Sequence, residues 1–363
     1  MPTQFTGVLN SNEIYAALFN MIISQQVFAD NIAGTYGSLV DKSRVDGSLY
    51  GDTKLYYATD ALSSREWGAD AEATNLLSVN RADAPRCQKI TLDVFRQIDI
   101  TVDDYLSKRA WATEGAFSDF NGVILAWIRD TKRIYDATTF NAFIGTTVSN
   151  VGKQSQAIDL DIGGTSSTAS DKEAANRGQA LIIANAVADI FTELKDVSRD
   201  YNDYGYIRSY NEDDLVVVWN SKYVNMIRTV DLPTIFHKDG LIKKFEEEVL
   251  PAKYFGQVNS AATAGNAAGT VRSLVEQDIG DNHYFAGEAI KVGDTAPAGS
   301  SYTVQDEVIC KIIHRRSVPF MSAFEVGTSF FNPRSLTTNH YLTWGHNSLD
   351  YLADKPFITL SAA

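Results

Sequence analysis

Three observations predict an α+β fold: a strand longer than an ordinary compact domain uses, a long helix soon after it, and a helix–strand–helix unit in the second half of the chain. From Lys89 to Thr101, Ile90, Leu92, Val94, Ile98, Ile100 and Val102 alternate with Lys89, Thr91, Asp93, Gln97, Asp99 and Thr101, and only Phe95 and Arg96 break the pattern. Period two marks a half-buried strand. At ~3.3 Å per residue the run is on the order of 45 Å long, and usual strands are about a third to a half of that. No Gly or Pro falls between residues 86 and 114, so turn chemistry gives no place to divide it. Such a strand suggests an arm lying on another surface; two ordinary strands meeting in a bulge at Phe95-Arg96 is the alternative.

Residues 1 to 12 are polar and irregular, and Ile14, Leu18, Met21 or Ile22 and Phe28 predict a helix from about Asn12 to Asn31. Between Ile32 and Gly51 the chain carries four glycines and few large apolar side chains, which reads as an arm and not a core. A short strand over Thr53–Thr59, a polar stretch over Asp60–Pro85 and the long strand form an extended antiparallel hairpin, residues 52 to 102, with an elaborate tip. An isolated hairpin is marginal in water, so this one needs a neighbouring surface.

The longest helical signal runs from Glu114 to about Phe143, on the order of 40 Å. Phe117, Phe120, Ile124, Trp127 or Ile128, Thr131, Ile134 or Tyr135 and Thr138 recur at three- and four-residue steps. Glu114 and Asp119 sit near its positive end, and Gly145 is placed to end it. After the small polar loop Gly163–Ser170, a second amphipathic helix spans Lys172–Val197 through Ala180, Ile183, Val187, Ile190, Phe191 and Leu194. Asp214–Trp219 reads as a strand buried on both faces, and Ser221–Thr229 as a helix capped by Ser221. Residues 252 to 305 are poor in bulk and read as loops with one or two short strands. Val308–Ile313, His340–Trp344 and Pro356–Leu360 supply the last strands.

Composition narrows the function. The 363 residues contain 44% hydrophobic and 11% aromatic side chains, enough for a sizeable core and incompatible with a disordered chain. A net charge of −13 argues against nucleic-acid binding as the main task. Cys87 and Cys310 read as two buried thiols in a reducing compartment. No Lys or Arg precedes Lys42, so the apolar stretch Ile14–Phe28 lacks the basic flank of a secretory signal, and no run is long enough for a membrane span.

No motif supports catalysis. The stretch Gly145–Gln154 has six residues between its glycines where a phosphate loop needs four, and Gln154 stands where a Ser or Thr must reach magnesium. His340 and His346 are too far apart to converge on a metal from one helix face. The run Glu246–Glu248 beside Lys243 and Lys244 reads as a solvated helix face. His314-Arg315-Arg316 is a short basic cluster, suited either to an inter-subunit ion pair or to an inward contact with nucleic acid. An arm, a long hairpin and a long helix bury little within their own subunit, so they must bury it between subunits.

The order arm, extended hairpin, long spine helix, α/β unit and return through terminal strands resembles the major capsid proteins of tailed bacteriophages, the family with the Hong Kong 97 phage capsid fold. Leu92-Asp93-Val94-Phe95-Arg96-Gln97-Ile98-Asp99-Ile100 running into Trp127-Ile128-Arg129-Asp130-Thr131-Lys132-Arg133-Ile134-Tyr135 adds to it, and Phe331-Asn332-Pro333-Arg334-Ser335-Leu336-Thr337-Thr338-Asn339-His340-Tyr341 is similar to the closing segment of such proteins. The resemblance implies an N-arm over residues 1–48, an extended loop over 49–103, a peripheral domain with its spine helix over 104–171, an axial domain over 172–328 and a return to the peripheral domain over 329–363. It implies pentamers and hexamers closing an icosahedral shell around double-stranded DNA, assembled in the host bacterial cytoplasm. Partners are copies of the chain itself, a separate scaffolding protein, a portal, and DNA on the inner face without sequence specificity. No cofactor, metal or membrane is expected.

Some members join a lysine of the extended loop to a neighbour's asparagine; between Lys54 and Lys89 this chain has no lysine, so no such crosslink is expected. On the strand, Ile90, Leu92, Ile98 and Ile100 are expected to anchor contacts between subunits or to pin the hairpin to its own base. Phe117, Phe120, Ile124 and Trp127 are expected to hold the core of the spine helix. Two alternatives are a nanocompartment shell enclosing a cargo enzyme, and an enzyme with an unrecognised site in the α/β unit.

Overall fold

The computed structural model describes residues 38–46, 53–64, 81–103, 114–160, 169–224, 246–260, 300–304 and 307–363. Two five-stranded sheets flank a long helix. The first has the order β1-β10-β11-β3-β2, from β1 (Arg44–Asp46), β2 (Thr53–Ala58), β3 (Arg86–Asp103), β10 (Phe320–Asn332) and β11 (Thr337–Asn347). The second has the order β4-β12-β9-β5-β6, from β4 (Ser155–Ile158), β5 (Leu215–Asn220), β6 (Glu246–Leu250), β9 (Val308–His314) and β12 (Phe357–Ala362). β7 (Gly256–Ser260) and β8 (Ser300–Val304) form a separate antiparallel pair. The helices are the short α1 (Ser38–Lys42), α2 (Glu114–Thr146) and α3 (Ala169–Lys195). None of the described helices is long and apolar enough to cross a membrane.

The second sheet explains why Leu215–Asn220 reads as an unbroken apolar run. Its side chains alternate between two covered faces: Val216 and Val218 meet Phe140, Phe143 and Ile144 of α2, while Leu215 and Val217 join Ile183, Val187, Ile190, Phe191 and Leu194 of α3. The helical spacing of those α3 residues is the apolar stripe read from the sequence. Earlier in α2, Ile128 and Tyr135 pack on Leu342 and Trp344 of the first sheet. One helix therefore serves both sheets, and its second half is buried nearly all round.

The 18-residue β3 is continuous, with no break at Phe95-Arg96. Both halves of its length are paired within its own chain. Arg86–Thr91 pairs antiparallel with β2, and Leu92–Asp103 pairs antiparallel with β11, with a register shift opposite His346 and Asn347. The hairpin exists but is paired over Thr53–Ala58 only. What the sequence concealed was β10: Glu325, Gly327 and Ser329 interrupt its apolar pattern, yet it runs 13 residues and pairs with β11. It crosses the expected boundary at residue 328.

Other expectations change. Glu246–Glu248 lie on the edge strand β6, where parallel pairing with β5 overrides the helical reading, and Glu246 and Glu248 hold Lys42 at 2.7 and 2.5 Å. Cys87, paired with the equally exposed Tyr57 on β2, is exposed, contrary to the expected buried thiol; Cys310 is buried. Gly145 lies inside the last turn of α2, where a Cβ would run into the carbonyl oxygen of Tyr254. Residues 221–224 are helical. The expected helix over 12–31 and the middle of the hairpin tip, 65–80, lie outside the described residues.

Candidate functional site

The four expected strand residues face inward within their own chain. Ile90 and Leu92 are buried, Leu92 against Met321 and Phe95, while Ile98 and Ile100 pack partly buried on Val102, Ile128, Tyr135, Leu342 and Trp344. Lys89, Asp93, Gln97, Asp99 and Thr101 on the opposite face are exposed. Of the helix residues, Phe117, Phe120 and Ile124 lie in α2 with side chains outside the described set. Trp127 is corrected: it is 63% exposed, because the helix turns the neighbouring Ile128 onto the sheet instead.

A polar relay fixes α2 against β3 and β11. Arg96 Nε donates to the Tyr135 hydroxyl at 3.2 Å, and that oxygen lies 3.1 Å from His346 Nε2. His346 Nδ1 is 2.8 Å from the Asn347 carbonyl, which can only accept, so Nδ1 carries the proton and Tyr135 donates to Nε2. Burial lowers the pKa of His346 and keeps it neutral. His314 is pushed down to about 4 by burial, while its neighbour Arg315 pairs with Glu246 at 2.6 Å. The basic cluster is thus partly spent inside the subunit.

Exposed apolar side chains are spread over the described residues, with Leu62, Val151, Leu181, Val197 and Val249 standing singly and others grouped on the two hairpins. Leu55 and Tyr57 stand on β2, Trp127 on α2, and Val326, Phe330 and Phe331 on β10 beside Leu336 in the turn that follows. Phe330 is 62% exposed. Leu336 adopts φ 55°, a left-handed conformation that a branched side chain rarely takes. Sequence reasoning missed this patch, although Phe330-Phe331 three residues before Arg334 in a Pro-containing turn was a usable signal. Exposed apolar side chains gathered at the end of a hairpin are a mark of a contact surface. Among the described residues, no group of His, Cys, Asp and Glu is placed to hold a metal ion, and the one described cleft of note, lined by Lys195, Asn211, Glu212, Asp213 and Asp214, is open and polar.

The description "Phi29-like phage major capsid protein" matches residues 7–359. In fold the chain is similar to the capsid structure of Staphylococcus phage Andhra, with TM-score 0.61 and 9% identity over 88% of this chain and 82% of that one. It is likewise similar to a chain in the structure of the head fiber and inner core protein gp22 of native bacteriophage P68, with TM-score 0.62 and 10% identity over 93% and 87%. No curated protein sequence matches. At these identities the structures carry the fold alone, and it is the Hong Kong 97-like phage capsid fold, α+β. With the sequence match spanning almost its whole length, the chain belongs to the Phi29-like phage major capsid protein family.

Proposed function

We propose that this capsid subunit assembles as pentamers and hexamers into an icosahedral shell around double-stranded DNA, and that it has no enzymatic activity. As a member of its family it self-associates and resides in the virion capsid. The observation that carries the finer reading is the group of exposed apolar side chains on the two hairpins: Leu55 and Tyr57 on β2, and Phe330, Phe331 and Leu336 at the end of β10 and in the turn to β11. Burying each large apolar side chain contributes about 1.5–3 kcal/mol, and a closed symmetric shell repeats each contact in every copy.

Residues 1–48 act as N-arm, 49–103 as extended loop, 104–171 as spine-helix peripheral domain, and 172–328 as axial domain, with 329–363 returning to the peripheral domain. Because β10 begins at Phe320 and pairs with β11, the return is better drawn from about residue 320. A separate scaffolding protein and a portal are the further partners, with assembly in the host bacterial cytoplasm and sequence-independent contact with DNA on the inner face. Electron microscopy of the expressed chain, alone and with a co-expressed scaffold, tests this. Closed particles of uniform size are expected. Persistent monomers under every condition would sink the reading, and particles filled with protein cargo and no nucleic acid would favour a nanocompartment.

A further inference from the structure

The paired part of the hairpin ends in a clamp. Where the chain leaves β2, Asp60 Oδ1 accepts from the Ile207 N–H at 2.9 Å and Asp60 Oδ2 from Arg199 at 2.7 Å, while Arg208 donates to the Thr59 carbonyl at 2.7 Å. Where it returns into β3, Gln88 donates to the Tyr351 carbonyl and accepts from the Ala353 N–H, both at 2.9 Å, and Arg86 lies 5.2 Å over the Tyr204 ring.

The receiving loop is itself closed. Ser198 and Arg208 exchange backbone hydrogen bonds of 2.9 and 3.0 Å, the Asn202 side chain bonds both backbone groups of Tyr206, and Arg199 also donates to the Gly205 carbonyl. Arg208 reaches Asp354 as well, at 2.7 Å, so one guanidinium joins hairpin, loop and C-terminal segment. Two supports thus hold both limbs just beyond the paired strands, one at Thr59 and Asp60 and one at Arg86 and Gln88. Six cross-strand pairs alone would leave their direction soft.

We propose that Asp60 and Arg208 are positioning residues for assembly: the clamp fixes the direction of the two limbs at 61–64 and 81–85 and thereby selects the angle at which neighbouring copies join. This rests on the shell reading above. It predicts that loosening the clamp changes particle geometry without unfolding the subunit. Asp60 is half-buried, with 24% of its side chain exposed, but lies outside both apolar cores, so Asp60→Ala should lower the melting temperature by only a few degrees and leave the subunit folded.

The test uses the full chain with Asp60→Ala, Asp60→Asn and Arg208→Ala, read by hydrogen exchange and by particle diameters in electron microscopy. Asp60→Ala and Arg208→Ala should speed exchange tenfold or more at the amides of 53–58 and 86–91, leave those of β5 and β9 unchanged, and turn one particle size into a spread of sizes or open sheets. Asp60→Asn keeps an acceptor for the Ile207 N–H and should fall between these and the natural chain. Wild-type diameters in both alanine variants, or faster exchange confined to residues 198–208, overturns the clamp while the shell reading stands. A natural chain that forms no particle overturns the shell reading first, and the role of the clamp in joining copies with it.

Discussion

Lys311 donates a hydrogen bond from its fully buried side-chain nitrogen to the main-chain carbonyl of Thr147, the residue that follows the spine helix α2. Lys311 sits in the middle of β9, paired across to Val218 on β5 and Thr359 on β12, with its nitrogen 5.4 Å over the Phe357 ring. The second sheet is thereby tied to the end of the helix that also supports the first. A cation there meets the negative end of the helix dipole, which offsets part of its lost hydration.

Burial pushes Lys311 down to about 7 from its ordinary 10.5. Below pH 7 both folded and unfolded chains hold the proton and the contribution is flat. Between pH 7 and 10 the unfolded chain still holds it and the folded chain does not, so stability rises with pH, by at most ~1.4 kcal/mol per unit. Above pH 10 the upward-shifted Tyr201, Tyr210 and Tyr351 act the other way, since folding keeps them protonated. Urea midpoints of the subunit should climb from pH 7 to 9, and Lys311→Met should flatten that slope and raise the midpoint at pH 7. An unchanged slope would show that Lys311 is not the titrating group.

The Arg96–Tyr135–His346 relay gives a second prediction. Tyr135→Phe keeps the edge-on contact with Trp344, at 5.6 Å and 70°, and removes the hydroxyl that serves both Arg96 and His346. Leaving buried His346 Nε2 without a donor costs about 1–3 kcal/mol. Chemical denaturation should report that loss, with far-ultraviolet circular dichroism unchanged.

Both sites show which parts of the fold were legible. Leu215–Asn220 and the stripe Ile183 to Leu194 declare their partners because each is covered by apolar surface at the period of its own element. Tyr135 and His346 lie 211 residues apart and meet because α2 packs across β11; no local pattern encodes that. β10 escaped notice because residues 325–331 are exposed on both faces, Phe330 on one and Phe331 on the other, so no apolar alternation marks the strand. Trp127 was misplaced because a helix face read to within one residue leaves Trp127 and Ile128 interchangeable, and only packing chooses between them.

Gly145 carries a third prediction with an unusual sign. In an exposed helix interior, Gly→Ala stabilises by about 1 kcal/mol. Here the added Cβ would meet the backbone carbonyl of Tyr254, which cannot rotate away as a side chain could. Tyr254 and Phe255 belong to the same buried cluster as Phe140 and Ile144, so separation of the helix from them opens the core. Overpacking of this kind costs about 1–3 kcal/mol or more. Gly145→Ala should lower the denaturation midpoint of the isolated subunit; a rise would mean the contact relaxes freely.

The fourth prediction separates folding from assembly. Phe330 and Phe331 lie beyond the last contact of β10 with the core, and both are exposed, as is Leu336. Surface substitutions away from special features change stability by about 0.5 kcal/mol or less, so Phe330→Ser with Phe331→Ser should leave the subunit's melting curve almost unmoved. If these rings are buried between copies, each loses about 1.5–3 kcal/mol per contact, and every ~1.4 kcal/mol is tenfold in an association constant. Assembly should therefore require at least a hundredfold more protein, as read by light scattering against concentration. Leu336→Gly relieves the left-handed strain at φ 55° and removes an apolar side chain, so it should stabilise the turn while weakening assembly. Unimpaired assembly in both variants would assign the patch to a different role than joining subunits.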